Sequence, residues 1–115
     1  MRTQPTSQEP TRAEVDQMRG PVLLEFGASW CGYCLALGPT LDPLVRAHPE
    51  VRFLRVEDGR GKPLGRSFRV KLWPTLVFMY DGQVLKQVSR PGRDDVEEGF
   101  ARLAGAAGDA GSSSA

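Results

Sequence analysis

The chain has 115 residues, 40% hydrophobic and 25% charged, with a formal net charge of +1 and two cysteines. That length fits one domain burying roughly two-thirds of the surface its unfolded chain would expose, and it excludes a two-domain enzyme or a barrel. The near-neutral charge offers no global basic field for nucleic acid, no apolar run approaches the ~18 residues of a membrane helix, and two cysteines are too few for a disulfide framework. Residues 1–20 are polar and lack the apolar stretch of a signal peptide, so a cytoplasmic location is expected, where thiols stay reduced.

The two ends differ from the middle. Residues 1–10 are rich in Gln, Thr, Ser and Pro, and the last residues are almost entirely Ala, Gly and Ser. Such segments bury too little apolar surface to offset their ordering entropy. The expectation is a disordered segment over 1–10, one domain over 11–104 and a flexible tail over 105–115.

Along the chain, Thr11 with Glu14 forms a capping box for a short first helix, and Gly20 suits its left-handed stop. Residues 22–26 read as a strand that is apolar on both faces and therefore central. From Cys31 to about Ala47, Cys34, Leu37, Leu41, Leu44, Val45 and His48 recur at helical spacing. Gly38-Pro39 predicts a kink in this helix rather than a stop, because the apolar stripe continues beyond it. Residues 51–57 form a second strand, and 63–70 a short helix with Leu64 and Phe68 inward. Residues 75–80 and 83–89 are strands joined through Asp81-Gly82, a strong hairpin signal. Asp94 and Glu97 are candidate caps for a last helix carrying Val96, Phe100 and Leu103 on one face. A right-handed crossover makes the first two strands parallel, and the hairpin adds two antiparallel ones. The fold class is α/β: one mixed four-stranded sheet with helices on both faces.

Trp30-Cys31-Gly32-Tyr33-Cys34 sits where the central strand ends and a helix begins. Residues three apart share a helix face, so the two sulfurs can meet. Free N–H groups and the dipole at a helix N-terminus stabilise a thiolate. Cys31 is then the attacking nucleophile, and Cys34 resolves the mixed disulfide. This predicts an exposed Cys31 and a shielded Cys34.

At this point the sequence resembles the thioredoxin family. The matching residues are Glu25-Phe26, Ala28-Ser29 with Trp30 to Cys34, Pro39, and Trp73-Pro74-Thr75-Leu76 ahead of the Asp81-Gly82 turn. The resemblance implies a thioredoxin fold in which Pro74 is a cis-proline facing the disulfide, as an X–Pro bond permits. It implies that the backbone before Pro74 pairs with an extended substrate, an edge addition of peptide. It also places Glu25 where the family has a buried aspartate thought to exchange a proton with the second cysteine, and Arg55 where a lysine is common. An arginine holds Glu25 ionised while desolvation opposes ionisation. Proton exchange with Cys34 and a purely structural Glu25–Arg55 pair therefore stand side by side.

Three residues depart from the family pattern. Tyr33 replaces the proline between the cysteines, and the same Gly-Tyr pair occurs in thioredoxin-fold disulfide isomerases of the periplasm. Leu35 replaces a lysine. Trp73 replaces a smaller aliphatic residue, and with Trp30, Gly32, Tyr33 and Thr75 it makes a substrate-binding surface suited to extended polypeptide. Arg60, Lys62, Arg66, Arg69 and Lys71 form a basic run, read as a solvated face or as a docking patch for an acidic partner.

The resulting expectation is a monomeric thiol–disulfide oxidoreductase without bound cofactor. It acts on protein disulfides, takes electrons from a thioredoxin-reductase-type donor, and binds neither nucleic acid nor membrane. Two other classes are a non-catalytic binding module of the same fold and a metal or iron–sulfur site. The latter requires a dimer sharing two Cys pairs, since structural zinc takes four ligands and only His48 adds to the cysteines.

Overall fold

A computed structural model describes residues 9–114. The elements in chain order are α1 (Arg12–Asp16), β1 (Pro21–Gly27), α2 (Gly32–Ala47), β2 (Arg52–Glu57), α3 (Pro63–Ser67), β3 (Thr75–Tyr80), β4 (Gln83–Ser89) and α4 (Arg93–Ser114). The sheet order is β2-β1-β3-β4. β1 runs parallel to β2 and antiparallel to β3, and β3 pairs antiparallel with β4. The expected mixed four-stranded architecture is the observed one.

Alternation along the strands builds two cores. Val22, Leu24 and Phe26 of β1 join Val77 and Met79 of β3 on one face, closed by Val15 of α1, Leu64 of α3 and Phe68. Leu23 joins Leu76 and Phe78 on the other face, under Leu37 and Leu41 of α2 and Val96, Phe100 and Leu103 of α4. The period of two puts Glu25 on the Leu23 face, under α2. Full burial of an aliphatic or phenyl side chain contributes roughly 1.5–3 kcal/mol, against about 0–1 kcal/mol for an exposed ion pair. Packing therefore dominates over exposed pairs such as Arg12–Asp16 and Arg102–Glu98.

The predicted elements hold with local corrections. The Thr11–Glu14 capping box is formed, but α1 ends at Asp16. Gly20, at φ 77°, is not the helix stop: it lies just before β1, where its N–H donates to Asp81 Oδ1 at 2.7 Å. α2 runs without interruption through Pro39 and Pro43. α3 stops at Ser67 because Arg69 turns into the left-handed region, at φ 59°. Asp81 and Gly82 both take positive φ, as the primed hairpin turn requires. At the start of α4 the cap is Asp95, whose Oδ2 accepts from Gly92 N at 3.0 Å, while Glu97 pairs with Arg93.

α4 also continues to Ser114, past Ala104, where composition puts the end of the ordered domain. Once Val96, Phe100 and Leu103 anchor the helix, propagation adds one backbone hydrogen bond per residue and carries it past Gly105, Gly108 and Gly111, each of which costs about 1 kcal/mol relative to Ala. The expectation for residues 1–10 falls, except for Glu9 and Pro10, outside the described residues. No helix among the described residues is long and apolar enough to cross a membrane.

α4 approaches β3 at Gly99, where an added Cβ would strike the Phe78 ring. Gly99→Ala is therefore expected to lower stability by about 1–3 kcal/mol through overpacking. In a domain of this size each kcal/mol lowers Tm by roughly 4–8 °C. Thermal denaturation followed by circular dichroism measures it, and an unchanged Tm would show that Phe78 has room to move.

Candidate active site

Cys31 is the N-cap of α2, with extended backbone (φ −79°, ψ 121°). Its Sγ accepts a hydrogen bond from Cys34 N at 3.3 Å, and its carbonyl accepts the first helical bond, from Leu35 N at 3.0 Å. A sulfur in this position meets one of the free N–H groups that open any helix. Hydrogen bonding from Cys34 is the chief cause of a Cys31 pKa below the ordinary thiol value of 9.0, and the charge of Arg90 adds to it. Cys34 moves the other way: burial, together with its hydrogen bond to Cys31, pushes it up to about 11.

The predicted contrast in exposure is reversed. Cys31 is 7% exposed, whereas Cys34 is half-buried. Capping turns the Cys31 sulfur back onto the helix end. The Cys34 sulfur nonetheless faces inward onto Gly27, where an added Cβ would lie only 2.6 Å from it. The asymmetry of the pair thus resides in its electrostatics rather than in residue exposure.

Glu25 is buried, 4% exposed, and lies directly across from Arg55 in the β1–β2 register. Arg55 Nε donates to Glu25 Oε1 at 2.8 Å, and Nη2 donates to Asp42 Oδ1 at 3.4 Å. The two carboxylates, Glu25 foremost, raise the Arg55 pKa further. Glu25, Cys34, Gly27, Asp42 and Arg55 line one cavity of about 360 Å³. Among the described residues, no group of three or more His, Cys, Asp or Glu side chains gathers as a metal site would need.

The Trp73–Pro74 peptide bond is cis, and Pro74 shares a depression with Tyr33. Trp30 and Tyr33 are exposed, and Gly32 is open on its Cβ side. Trp73 is half-buried. Its indole meets that of Trp30 edge-on at 5.5 Å, and its Nε1 donates to Asp58 Oδ2 at 2.9 Å. Thr75 is fully buried, its hydroxyl donating to Leu72 O at 2.6 Å and lying 2.9 Å from Ser89 Oγ. It braces the Pro74 segment from beneath, with no side-chain surface for substrate. His48 caps the far end of α2 and stacks on Phe100 at 4.6 Å, away from the cysteines.

Sequence reasoning missed Arg90. Its backbone is left-handed, at φ 50°, and its N–H donates to Pro74 O at 2.7 Å. Nε donates to Trp73 O at 3.0 Å, and the guanidinium lies 4.0 Å from the centre of the Tyr33 ring. One exposed side chain thus ties the Cys-flanking dipeptide to the segment before Pro74. The local sequence, Ser89-Arg90-Pro91-Gly92, signals only a loop.

A thioredoxin-fold sheet carrying a dithiol at the N-terminus of its second helix defines a class of redox protein. Comparison with known proteins agrees. A thioredoxin family model matches residues 2–100. A thioredoxin H-type of Picea mariana is 35% identical over 86 residues, covering 75% of this chain and 69% of that protein. The reduced form of thioredoxin 2 from Pseudomonas aeruginosa superposes with a TM-score of 0.74 at 51% identity, over 84% of this chain and 91% of that one. Oxidised mitochondrial thioredoxin 3 of Saccharomyces cerevisiae gives 0.69 at 26% identity, over 76% and 83%. The chain belongs to the thioredoxin family, and it is a thiol–disulfide oxidoreductase.

The opposed shifts of the two thiols predict their labelling order. With reduced protein and iodoacetamide, Cys31 is expected to alkylate at pH values well below 9.0, and Cys34 to resist until the pH nears 11. Peptide mapping across a pH series reads both. Equal labelling of the two cysteines at pH 7 would contradict the assignment.

Proposed function

We propose that Cys31 is the nucleophile and Cys34 the resolving thiol in the reduction of protein disulfides. The observation that carries this reading is the Cys31 sulfur capping α2 with Cys34 N as its donor. The Cys31 thiolate attacks one sulfur of a substrate disulfide. A Cys31–substrate bond forms, the substrate S–S bond breaks, and one substrate thiolate leaves. Cys34 then loses its proton and attacks Cys31 Sγ, closing the Cys31–Cys34 disulfide and releasing the second substrate thiolate. Two electrons pass from the protein dithiol to the substrate. A thioredoxin-reductase-type donor restores the dithiol, in a reducing compartment such as the cytoplasm, and no bound cofactor enters the cycle.

Glu25 serves this cycle as the acceptor of the Cys34 proton. Support comes from the cavity both side chains line, which is roomy enough to admit solvent between them. Arg55 orients the carboxylate through its 2.8 Å bond to Oε1, and a guanidinium does not itself give up a proton in the exchange. Pro74 presents the preceding backbone to an extended substrate strand, flanked by Trp30, Gly32, Tyr33 and Trp73. Arg90 is a positioning residue that holds Tyr33 and the Trp73 carbonyl in place beside Cys31.

Cys34→Ser should accumulate a mixed disulfide with a disulfide-bonded substrate, visible on non-reducing gels, whereas Cys31→Ser should lose both trapping and turnover. Undiminished turnover by Cys31→Ser would sink the mechanism. Glu25→Gln removes the acceptor while keeping the shape. With Cys34 intact, it is expected to slow resolution of the mixed disulfide by one to two orders of magnitude at neutral pH, within the range of general-base effects. Rising pH should restore the rate as Cys34 ionises unaided, a recovery that a purely structural loss would not give.

A further inference from the structure

Between the end of β2 and the start of β3, an open groove of about 750 Å³ is lined by Arg60, Lys62, Arg66, Arg69, Lys71 and Trp73. Its one carboxylate, Asp58, is already engaged by the Trp73 indole at 2.9 Å. Among the described residues, none of the five cations forms an ion pair; Arg19, Arg46, Arg52 and Arg90 are unpaired too, but only these five are gathered around one groove. The whole chain carries 15 Lys and Arg against 14 Asp and Glu, so the excess is local. Five neighbouring like charges without partners repel one another, and an anion laid among them relieves that repulsion.

The groove leads to the redox centre. Trp73 forms its edge and touches Trp30, the residue before Cys31, with ring centres 5.5 Å apart. On the other side of the Trp73–Pro74 step, a second depression of about 180 Å³ is lined by Pro74, Tyr33, Arg90 and Arg93, with no carboxylate among its lining residues. Cationic side chains therefore line the depressions on both sides of the Trp73–Pro74 step.

We propose that the groove beside Trp73 docks an acidic segment of the polypeptide whose disulfide is exchanged at Cys31. The proposal rests on Cys31 being the nucleophile. The groove's edge residue, Trp73, packs against Trp30, which directly precedes that nucleophile, so the fitting occupant is the molecule that brings the disulfide, which favours polypeptide over nucleic acid. A groove of this volume holds a short run of side chains. Rim charges of this kind act chiefly by steering encounter, raising association rates by an order of magnitude or more at low salt.

The test uses the full chain in its reduced form and two disulfide-bridged peptides identical around the bridge, one flanked by Asp and Glu and the other by Ser and Gln. Stopped-flow reduction of each yields a ratio of second-order rate constants. The acidic peptide is expected to react on the order of tenfold faster at 20 mM salt, with the ratio approaching one at 1 M, where the Debye length is about 3 Å. In the Arg60→Glu/Arg66→Glu double variant, both sites being exposed, the ratio should fall to one or invert. Because the ratio is taken within each protein, altered folding or redox strength cancels. Equal rates at 20 mM salt, or a preference that survives in the double variant, overturns the docking role alone. Failure of wild-type protein to reduce either peptide and the uncharged hydroxyethyl disulfide overturns the redox reading on which the role rests. Tight binding of an RNA oligonucleotide at 0.15 M salt without any acidic-peptide preference assigns the groove to nucleic acid and likewise overturns the proposal.

Discussion

The contact between Cys34 Sγ and Gly27 fixes the relation between the central strand and the helix that carries the redox pair. Any Cβ at Gly27 would lie 2.6 Å from the sulfur, so only glycine lets α2 sit this close to the end of β1. The Gly27 carbonyl also accepts from Asp58 N at 2.8 Å, which holds the end of β2 beside it. From that junction the rest follows. α2 lies over the Leu23 face, so Leu37 and Leu41 bury there, and Glu25 faces the cavity that Cys34 lines.

The same junction separates the two thiols chemically. One helix start supplies both: Cys31 as its cap, receiving an N–H, and Cys34 one turn in, with its sulfur pressed against Gly27. Hydrogen bonding lowers the first and burial raises the second, so causes of opposite sign set the two thiols apart. Residue exposure is a poor guide here, because a capping sulfur is turned onto its own helix. Arg90 adds charge to this asymmetry from a distant loop, and its left-handed backbone is held by its bonds to the Pro74 and Trp73 carbonyls.

Most of the fold was legible because its signals are local. The strands alternate cleanly onto two cores, Asp81-Gly82 forms the predicted turn, and the Cys31–Cys34 spacing sits at a strand-to-helix boundary. The parallel neighbour of Glu25 was likewise readable as Arg55 through the family resemblance, and they face each other in register. What was not legible depends on residues far apart in sequence. Nothing near Arg90 announces that it will lie over Tyr33, and nothing in Gly27 itself distinguishes a close approach from a simple strand end. Gly20 misled for a related reason: its positive φ serves the contact with Asp81 rather than a helix stop. The continuation of α4 beyond Ala104 shows composition losing to cooperativity, since a helix already anchored by packing needs little help to extend.

The Glu25–Arg55 pair bears on how far this protein departs from a lysine-bearing relative. A lysine beside a buried carboxylate can shed its proton when desolvated, so charge in such a pair is adjustable. Arginine removes that freedom. Its guanidinium stays charged, and here it reaches both Glu25 and Asp42 from the edge strand, with its own side chain largely in solvent. The positive charge is thus anchored at the mouth of the cavity, and the carboxylate deep inside balances it. That arrangement commits Glu25 Oε1 to Arg55 at 2.8 Å, in a cavity that Cys34 also lines. The Glu25–Arg55 pair thus fixes one carboxylate oxygen across the β1–β2 register, and Asp42 of α2 steadies the same guanidinium.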